Sequence, residues 1–394
     1  MKRSRAYYLR LALGGFAVAV GLLWLLPSPI DPLAFDPPEA PALLGPLLPN
    51  DALSKAIILA PEEVWGPEDV EVDAQGRIFA GTADGEIARL TLDILDRPTV
   101  ETFANTGGRP LGLAFDSNGH LLVADGHRGL LRLDPSGTME VLSAGADDKP
   151  FGFTNDIDIA RDGKVYFSDA SSKFGVEEYL YDLLEARPHG RFLVFDPATQ
   201  TTTTLLDDLF FANGVALSKN EDFVLINETY RYRIRRYWLK GPKAGSSDIY
   251  LDNLPGFPDG ISSNRQGRFW VALFTVRNPM MDFLHPHPWA KQLLSKLPKA
   301  LWPKPKPYGL VLALDEKGNI EYSLQDPTGD RVQLVTSVQQ AGDSLFLGNL
   351  DGQGITRFEL PEAERPETEV KNPEPRADRS ESTGPAQGTP SQDD

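Results

Sequence analysis

Along the middle of the chain, apolar and polar positions alternate in short runs broken by Gly, Asn and Asp. One unit recurs: an alternating strand, a tight turn, then a second apolar strand. It appears as EDVEVDAQGRIFAG from Glu68, LGLAFDSNGHLLVAD from Leu111, NDIDIARDGKVYFSD from Asn155, NGVALSKNEDFVLINE from Asn213 and DGISSNRQGRFWVAL from Asp259. A weaker sixth copy, SVQQAGDSLFLGN, begins at Ser337. Period-two alternation bounded by D-x-x-G or N-G turns predicts hairpins. A third apolar segment follows each pair, such as EIARL, GLLRLD, GRFLVFDP or GLVLALD. The first five copies begin 43, 44, 58 and 46 residues apart. Units of three or four strands at this period predict an all-β, six-bladed β-propeller over residues 51–360. A β-sandwich is the alternative, and six copies of one unit fit it poorly.

The two ends follow a different pattern. Lys2, Arg3, Arg5 and Arg10 precede an uncharged run from Leu11 to Ile30. Twenty residues of helix span roughly 30 Å of hydrocarbon. Residues 1–30 therefore read as a transmembrane helix, an anchor with its N-terminus in the cytoplasm and the propeller on the extracytoplasmic side. A cleaved signal peptide is the rival, but no small-x-small cleavage site follows the apolar run. Residues 31–50 are Pro-rich and read as a spacer leading away from the bilayer. Residues 361–394 hold nine acids, four bases, much Pro and no aromatic residue, which predicts a disordered acidic tail.

Composition narrows the chemistry. The chain has 394 residues, 35 Gly and 33 Pro, in keeping with many turns. It has no cysteine, which removes disulfides, Cys-ligated zinc and thiol nucleophiles. The net charge is −17. Residues 1–30 carry four positive charges and no acid, so the segment 31–360 is itself acidic at −16. An acidic globular part argues against nucleic-acid binding. No G-x-S-x-G elbow and no phosphate-binding GxxxxGK[ST] loop occurs.

In a propeller the first strand of each blade lines the central channel, and the residue entering it faces the channel mouth. That register reads Glu68, Leu111, Asn155, Asn213, Asp259, then Thr336 or Ser337. Glu68, Asn155, Asn213 and Asp259 each bring a side-chain oxygen suited to a hard cation. Two carboxylates and two amides, completed by water, suit a Ca²⁺ shell of about six to eight oxygens. No His or Cys joins the set, which disfavours zinc and copper. Taken singly, Asn-Gly and Asp-Gly are ordinary turn formers, and only the shared register joins them. Asp125, Asp169 and Glu228 share another register at the ends of second strands and read as turn and ladder fixtures.

The run from Gly190 to Ser262 (GRFLVFDP through FPDGIS), with GRPLGLAF, YFSDASSKF and PKPYGLVLALDEKGN, resembles the strictosidine synthase-like family, including a membrane-anchored branch of it. The resemblance covers about residues 50–360. It implies a six-bladed propeller shared with paraoxonases and gluconolactonases, and a channel calcium whose ligands map onto Glu68, Asn155, Asn213 and Asp259. It also implies that Asp259 steers water as a general base. Two departures stand out. The sixth-blade glutamate of strictosidine synthase falls near Thr336, and residues 331–340 hold no acid, so amine–aldehyde condensation is not expected. The histidine of paraoxonases falls on Leu111, and their second on His127, which alone reads as a turn residue.

Metal-assisted hydrolysis of an apolar ester or lactone remains. The alternative is a non-catalytic, calcium-stabilised scaffold that binds a partner. Two insertions bear on the choice. Ser171–His189 has Val176, Tyr179, Leu180, Leu183 and Leu184 at helical spacing, predicting a short helix over the mouth. In Arg277–Tyr308, residues Leu293, Leu294, Leu297, Ala300 and Leu301 suggest an amphipathic helix interrupted by Pro298. It is either a packed surface helix or a hydrophobic lid near the membrane.

Overall fold

Six four-stranded antiparallel sheets form the blades of a propeller in the computed structural model, which describes residues 23–361 together with Tyr7, Gly14 and Gly21. Most of the expected anchor, residues 1–22 apart from Tyr7, Gly14 and Gly21, and the expected tail beyond Pro361 lie outside the described residues. No helix among the described residues is long and apolar enough to cross a membrane.

The first strands are Val70–Val72, Pro110–Phe115, Thr154–Ile159, Ala212–Leu217, Gly256–Ser263 and Val335–Ala341. Each contacts the first strand of the next blade, so together they line the channel. The hydrophobic clusters lie between adjacent blades. Leu113 and Val123 of blade 2, for example, pack with Phe79 and Ile87 of blade 1. Blade 6 is completed from the other end of the fold. The strand Ile57–Leu59 pairs with Ile355–Glu359, Ile57 opposite Arg357. This closing strand is short and apolar and has no partner near it in sequence, so the repeat pattern does not reveal it.

Both insertions leave their blades at the second-to-third-strand connection, on the channel-mouth side. The first carries helix α1, Tyr179–Glu185, as its apolar spacing predicts. The second differs from expectation: its helices are α2, Pro279–Leu284, and α3, Pro288–Leu294, each with a proline in the first turn. Proline suits a first helical turn and blocks an interior. The expected helix across 293–301 therefore stops at Leu294, and a single 3₁₀ turn, Lys299–Leu301, follows Pro298.

Residues 31–50 do not lead away as a spacer. They form a strap across the mouth side. The Leu33 N–H donates to the Glu185 carbonyl and the Phe35 N–H to that of His285. Lys291 Nζ reaches the Leu33 carbonyl and Arg277 the Pro38 carbonyl at 2.6 Å. The Arg231 guanidinium lies between the Phe35 and Phe210 rings, 3.9 and 3.6 Å from their centroids. Leu47 is buried in the core.

Candidate functional site

Glu68, Leu111, Asn155, Asn213, Asp259 and Thr336 converge at the mouth end of the channel, as their shared register requires. A local irregularity positions four of them. Thr154 pairs with Asp169, but the next pair is Ile157 with Phe167, so the first strand carries an extra residue there. The same slip occurs at Ala212/Val215, Pro258/Ile261 and Val335/Val338. A β-bulge re-aims side chains and increases local twist. In each blade the residue just after the break is the channel residue: Asn155, Asn213, Asp259 or Thr336. The N-G and D-G pairs are therefore in strands and not in turns. Glycine is needed because the next blade passes close by. A Cβ on Gly214 would lie 2.5 Å from the Asp259 carbonyl oxygen, and one on Gly260 2.7 Å from that of Thr336.

Second-strand fixtures hold the loops that lead into the ring. Asp169 accepts from the Gly152 and Phe153 N–H groups at 3.0 and 2.7 Å and pairs with buried Arg191 at 2.7 Å. Asp125 accepts from the Arg109, His127 and Arg128 N–H groups. Glu228 accepts from the Phe210 N–H and pairs with Arg233. This is the structural role their common register suggested. His127 lies in a turn and meets Glu177 of the first insertion at 3.0 Å.

The ring is buried: Glu68, Asn155, Asn213 and Asp259 are each less than a tenth exposed. Asn213 Nδ2 donates to Asp259 Oδ1 at 2.5 Å, and Asn227 Nδ2 donates to the Asp259 carbonyl at 2.6 Å. Burial pushes Glu68 well above the usual carboxylate range, and nearby Asp259 and Asp69 push it further, while Arg109 pulls it down. Burial also raises Asp259, with the Asn213 amide opposing. Burial and the neighbouring Asp259 and Asp69 charges thus disfavour an ionised Glu68 unless a cation offsets them. Beside the ring, Thr154 Oγ1 and Asn227 Oδ1 are buried without a hydrogen-bond partner. The donor set is all hard oxygen, so calcium fits it. Among the described residues no three His, Cys, Asp or Glu side chains come together as a metal site. A cation here thus depends on the two amide oxygens as well as the two carboxylates.

Above the ring is a cavity of about 260 Å³. Its wall is aromatic: Phe153, Phe211 and Phe257, with Tyr230 stacked on Phe211 at 4.4 Å. Each phenylalanine stands two residues before a ring residue, as F-x-N or F-x-D. Sequence reading missed this wall, although the repeated spacing could have revealed it. The roof comes from Tyr179, Leu180 and Leu183 of α1 and from Met281, Trp302 and Pro303 of the second insertion. Lys299 Nζ donates to the Glu177 carbonyl, joining the two insertions.

At the sixth-blade position the Thr336 hydroxyl donates to the Glu68 carbonyl at 2.5 Å, and no acid stands in that ring position. Leu111 fills the second-blade position and lines the cavity floor.

The chain matches the strictosidine synthase family profile over residues 155–242 and the strictosidine synthase-like N-terminal profile over residues 45–90. It is similar to the adipocyte plasma membrane-associated protein of Homo sapiens, 36% identical over 380 residues that cover 90% of this chain and 90% of the relative. It is also similar to the protein strictosidine synthase-like 13 of Arabidopsis thaliana, 34% identical over 304 residues, 69% of this chain and 75% of the relative. Among solved structures it resembles a gluconolactonase from Xanthomonas campestris, with TM-score 0.55 and 19% identity over 86% of this chain and 99% of that one. A calcium-binding regucalcin from Agrobacterium tumefaciens gives TM-score 0.53 and 16% identity over 77% and 91%. At such identities the solved structures establish the propeller fold alone.

Proposed function

We propose that this chain, which belongs to the strictosidine synthase-like family and within it to the branch of the adipocyte plasma membrane-associated proteins, is a calcium-dependent hydrolase of apolar esters or lactones held at a membrane. The observation that carries the proposal is the buried oxygen ring at the floor of an aromatic cavity. Glu68, Asn155, Asn213 and Asp259 are the residues to hold calcium. Asn213 turns its amide nitrogen to Asp259 and so keeps its carbonyl oxygen for a cation. When bound there, calcium supplies a Lewis-acid charge for the carbonyl oxygen of the substrate. Asp259 takes a proton from the attacking water and returns it to the departing alkoxide as the ester C–O bond breaks. The Asn213 amide fixes the carboxylate for that transfer. The phenylalanine wall and the two insertions bind the apolar part of the substrate and exclude bulk water.

The basic residues before Leu11 and the apolar run after it support an anchor with its N-terminus cytoplasmic and the propeller extracytoplasmic. The name of the mammalian relatives, plasma membrane-associated, supports association with a membrane.

A panel of aryl esters and lactones, assayed on the full chain with calcium added or chelated, tests the proposal. Turnover lost on chelation, and lost in Asp259→Ala and Asn213→Ala, is the expected result. Wild-type rates in both variants would refute it. The Thr336 hydroxyl standing where a catalytic acid is absent favours one other reading, a calcium-tied scaffold for a partner. Chelation that lowers the melting temperature of a chain with no turnover on any panel member would select that reading.

A further inference from the structure

We propose that the mouth-side face of the propeller docks on an anionic lipid surface, so that the cavity opens into the bilayer interface. The second insertion, 277–308, is two-sided. Its inner side chains Met281, Leu284, Leu294 and Trp302 pack with Leu184 of α1 and with Ile30, the residue just before the strap. Its outer side chains Met280, Phe283, Trp289 and Leu301 are each more than half exposed. Packing against α1 and Ile30 explains the first set, whereas in the second Phe283 and Trp289 flank the His287 ring and all four still leave more than half their surface to solvent. Apolar residues on the outer side of a short helical segment suit the boundary between headgroups and acyl chains.

Charge points to the same occupant. The insertion carries one Arg and five Lys against the single acid Asp282, on a globular part whose net charge is −16. Two of these cations are consumed inside the protein. Arg277 pairs with Asp282, and Lys291 is buried against the Leu33 carbonyl. Lys299, Lys304 and Lys306 are exposed around the mouth, and Lys299 and Lys304 line the cavity itself. The basic excess is confined to this insertion, since the first insertion and the strap carry exposed Glu177, Glu178, Asp31, Asp36 and Glu39 on the same side. The Lys299–Lys306 edge of the insertion is the part that anionic headgroups attract.

The third observation is where the chain enters. Lys296 Nζ donates to the Leu23 carbonyl at 3.1 Å, and its charge lies 6.0 Å from the Trp24 ring. Trp24, Leu25 and Leu26 are exposed there. Among the described residues, the end of the uncharged run therefore meets the fold at this patch. The opposite face offers the contrast. Ile94 and Leu95 are also largely exposed, but they sit in a turn whose Arg97 is paired with Asp93.

The absence of cysteine permits a direct test. Single cysteines at Phe283→Cys, Met280→Cys and, on the far face, Ile94→Cys are labelled with NBD. The full chain is reconstituted in phosphatidylcholine vesicles with or without phosphatidylserine, containing nitroxide-labelled lipid. Docking predicts quenching several-fold stronger at positions 283 and 280 than at 94. It also predicts that omitting phosphatidylserine, or combining Lys304→Glu with Lys306→Glu, weakens quenching at 283. Two results overturn the proposal. One is equal quenching at 283, 280 and 94. The other is an emission shift at 283 that needs no vesicles and grows with protein concentration, which assigns the face to a second copy. The readout is independent of turnover, so it stands or falls apart from the proposed hydrolysis.

Discussion

The two halves of the channel are lined by acids from the same inner strands, yet they do different work. In the lower half, Asp69, Asp156 and Asp158 are consumed by backbone donors, and Glu71 accepts from the Gln339 amide. Asp69 accepts from its own strand at Val70 and from the next blade at Leu113. Asp156 accepts from Ile157 and from Val215 of the next blade, and Asp158 from Ile159 and Leu217. Arg265 closes the far end on Asp158 at 2.5 Å. These acids stitch blade 1 to blade 2 and blade 3 to blade 4. At the mouth, by contrast, Glu68 and Asp259 face each other across a ring of amides. Burial raises the acids of both halves, Asp69 to about 6 and Glu71 to about 8. The shift alone does not separate a structural acid from a binding one. The presence of backbone donors does.

The largest effect belongs to the stitches. Asp156→Ala strands the Ile157 and Val215 N–H groups, and is expected to cost roughly 2–4 kcal/mol in denaturant unfolding. The calcium-induced rise in melting temperature should persist in this variant. Asp259→Asn should do the reverse. Its folded carboxyl sits above its ordinary value, so the stability it contributes is present at low pH and lost as the group ionises. At pH 8 without calcium the amide should therefore stabilise by roughly 1–2 kcal/mol, while the calcium-induced shift disappears. Equal behaviour of the two variants would erase the distinction between the halves.

A smaller effect concerns protons. Glu68 and Asp259 hold protons above the usual carboxylate range, and calcium must displace them. Affinity should fall as pH falls, by up to about tenfold per pH unit for each proton released. Calorimetry in buffers of different ionisation enthalpy counts those protons. The smallest effect lies in the roof. Burial raises Asp182 of α1 to about 7, although the Ser171 hydroxyl donates to it at 2.6 Å. Its contribution to stability is complete below about pH 4 and is lost as pH rises through about 7. Asp182→Asn should raise the melting temperature by a few degrees at pH 8 and leave it unchanged at pH 4.

The repeat was legible because alternation and turn chemistry are local. The ring positions were legible because one register runs through every blade. What remained hidden depends on backbone groups or on distance. The strap binds through the carbonyls of Leu33, Pro38, Glu39 and Leu47, which any sequence would carry, so its Pro-rich composition reads as a spacer. The need for glycine at 214 and 260 is hidden, because a close approach by another blade leaves no local mark and an N-G or D-G pair taken singly suits a turn equally well. The second insertion was read with one helix across Pro298, where the proline rule favoured two shorter helices started at Pro279 and Pro288.

The closing strand Ile57–Leu59 sets an order of events. It is among the first segments of the propeller to be synthesised, and its partner Ile355–Glu359 is the last. Closing so long a loop is slow, and until it happens blade 6 presents an open sheet edge. The strap immediately precedes that strand, so its contacts with Arg231, Arg277 and Gln325 can form together only on a nearly finished ring. Assembly thus runs from blades to ring to strap. The ring that floors the cavity is closed only where the first and last blades meet, with Thr336 bonded to the Glu68 carbonyl.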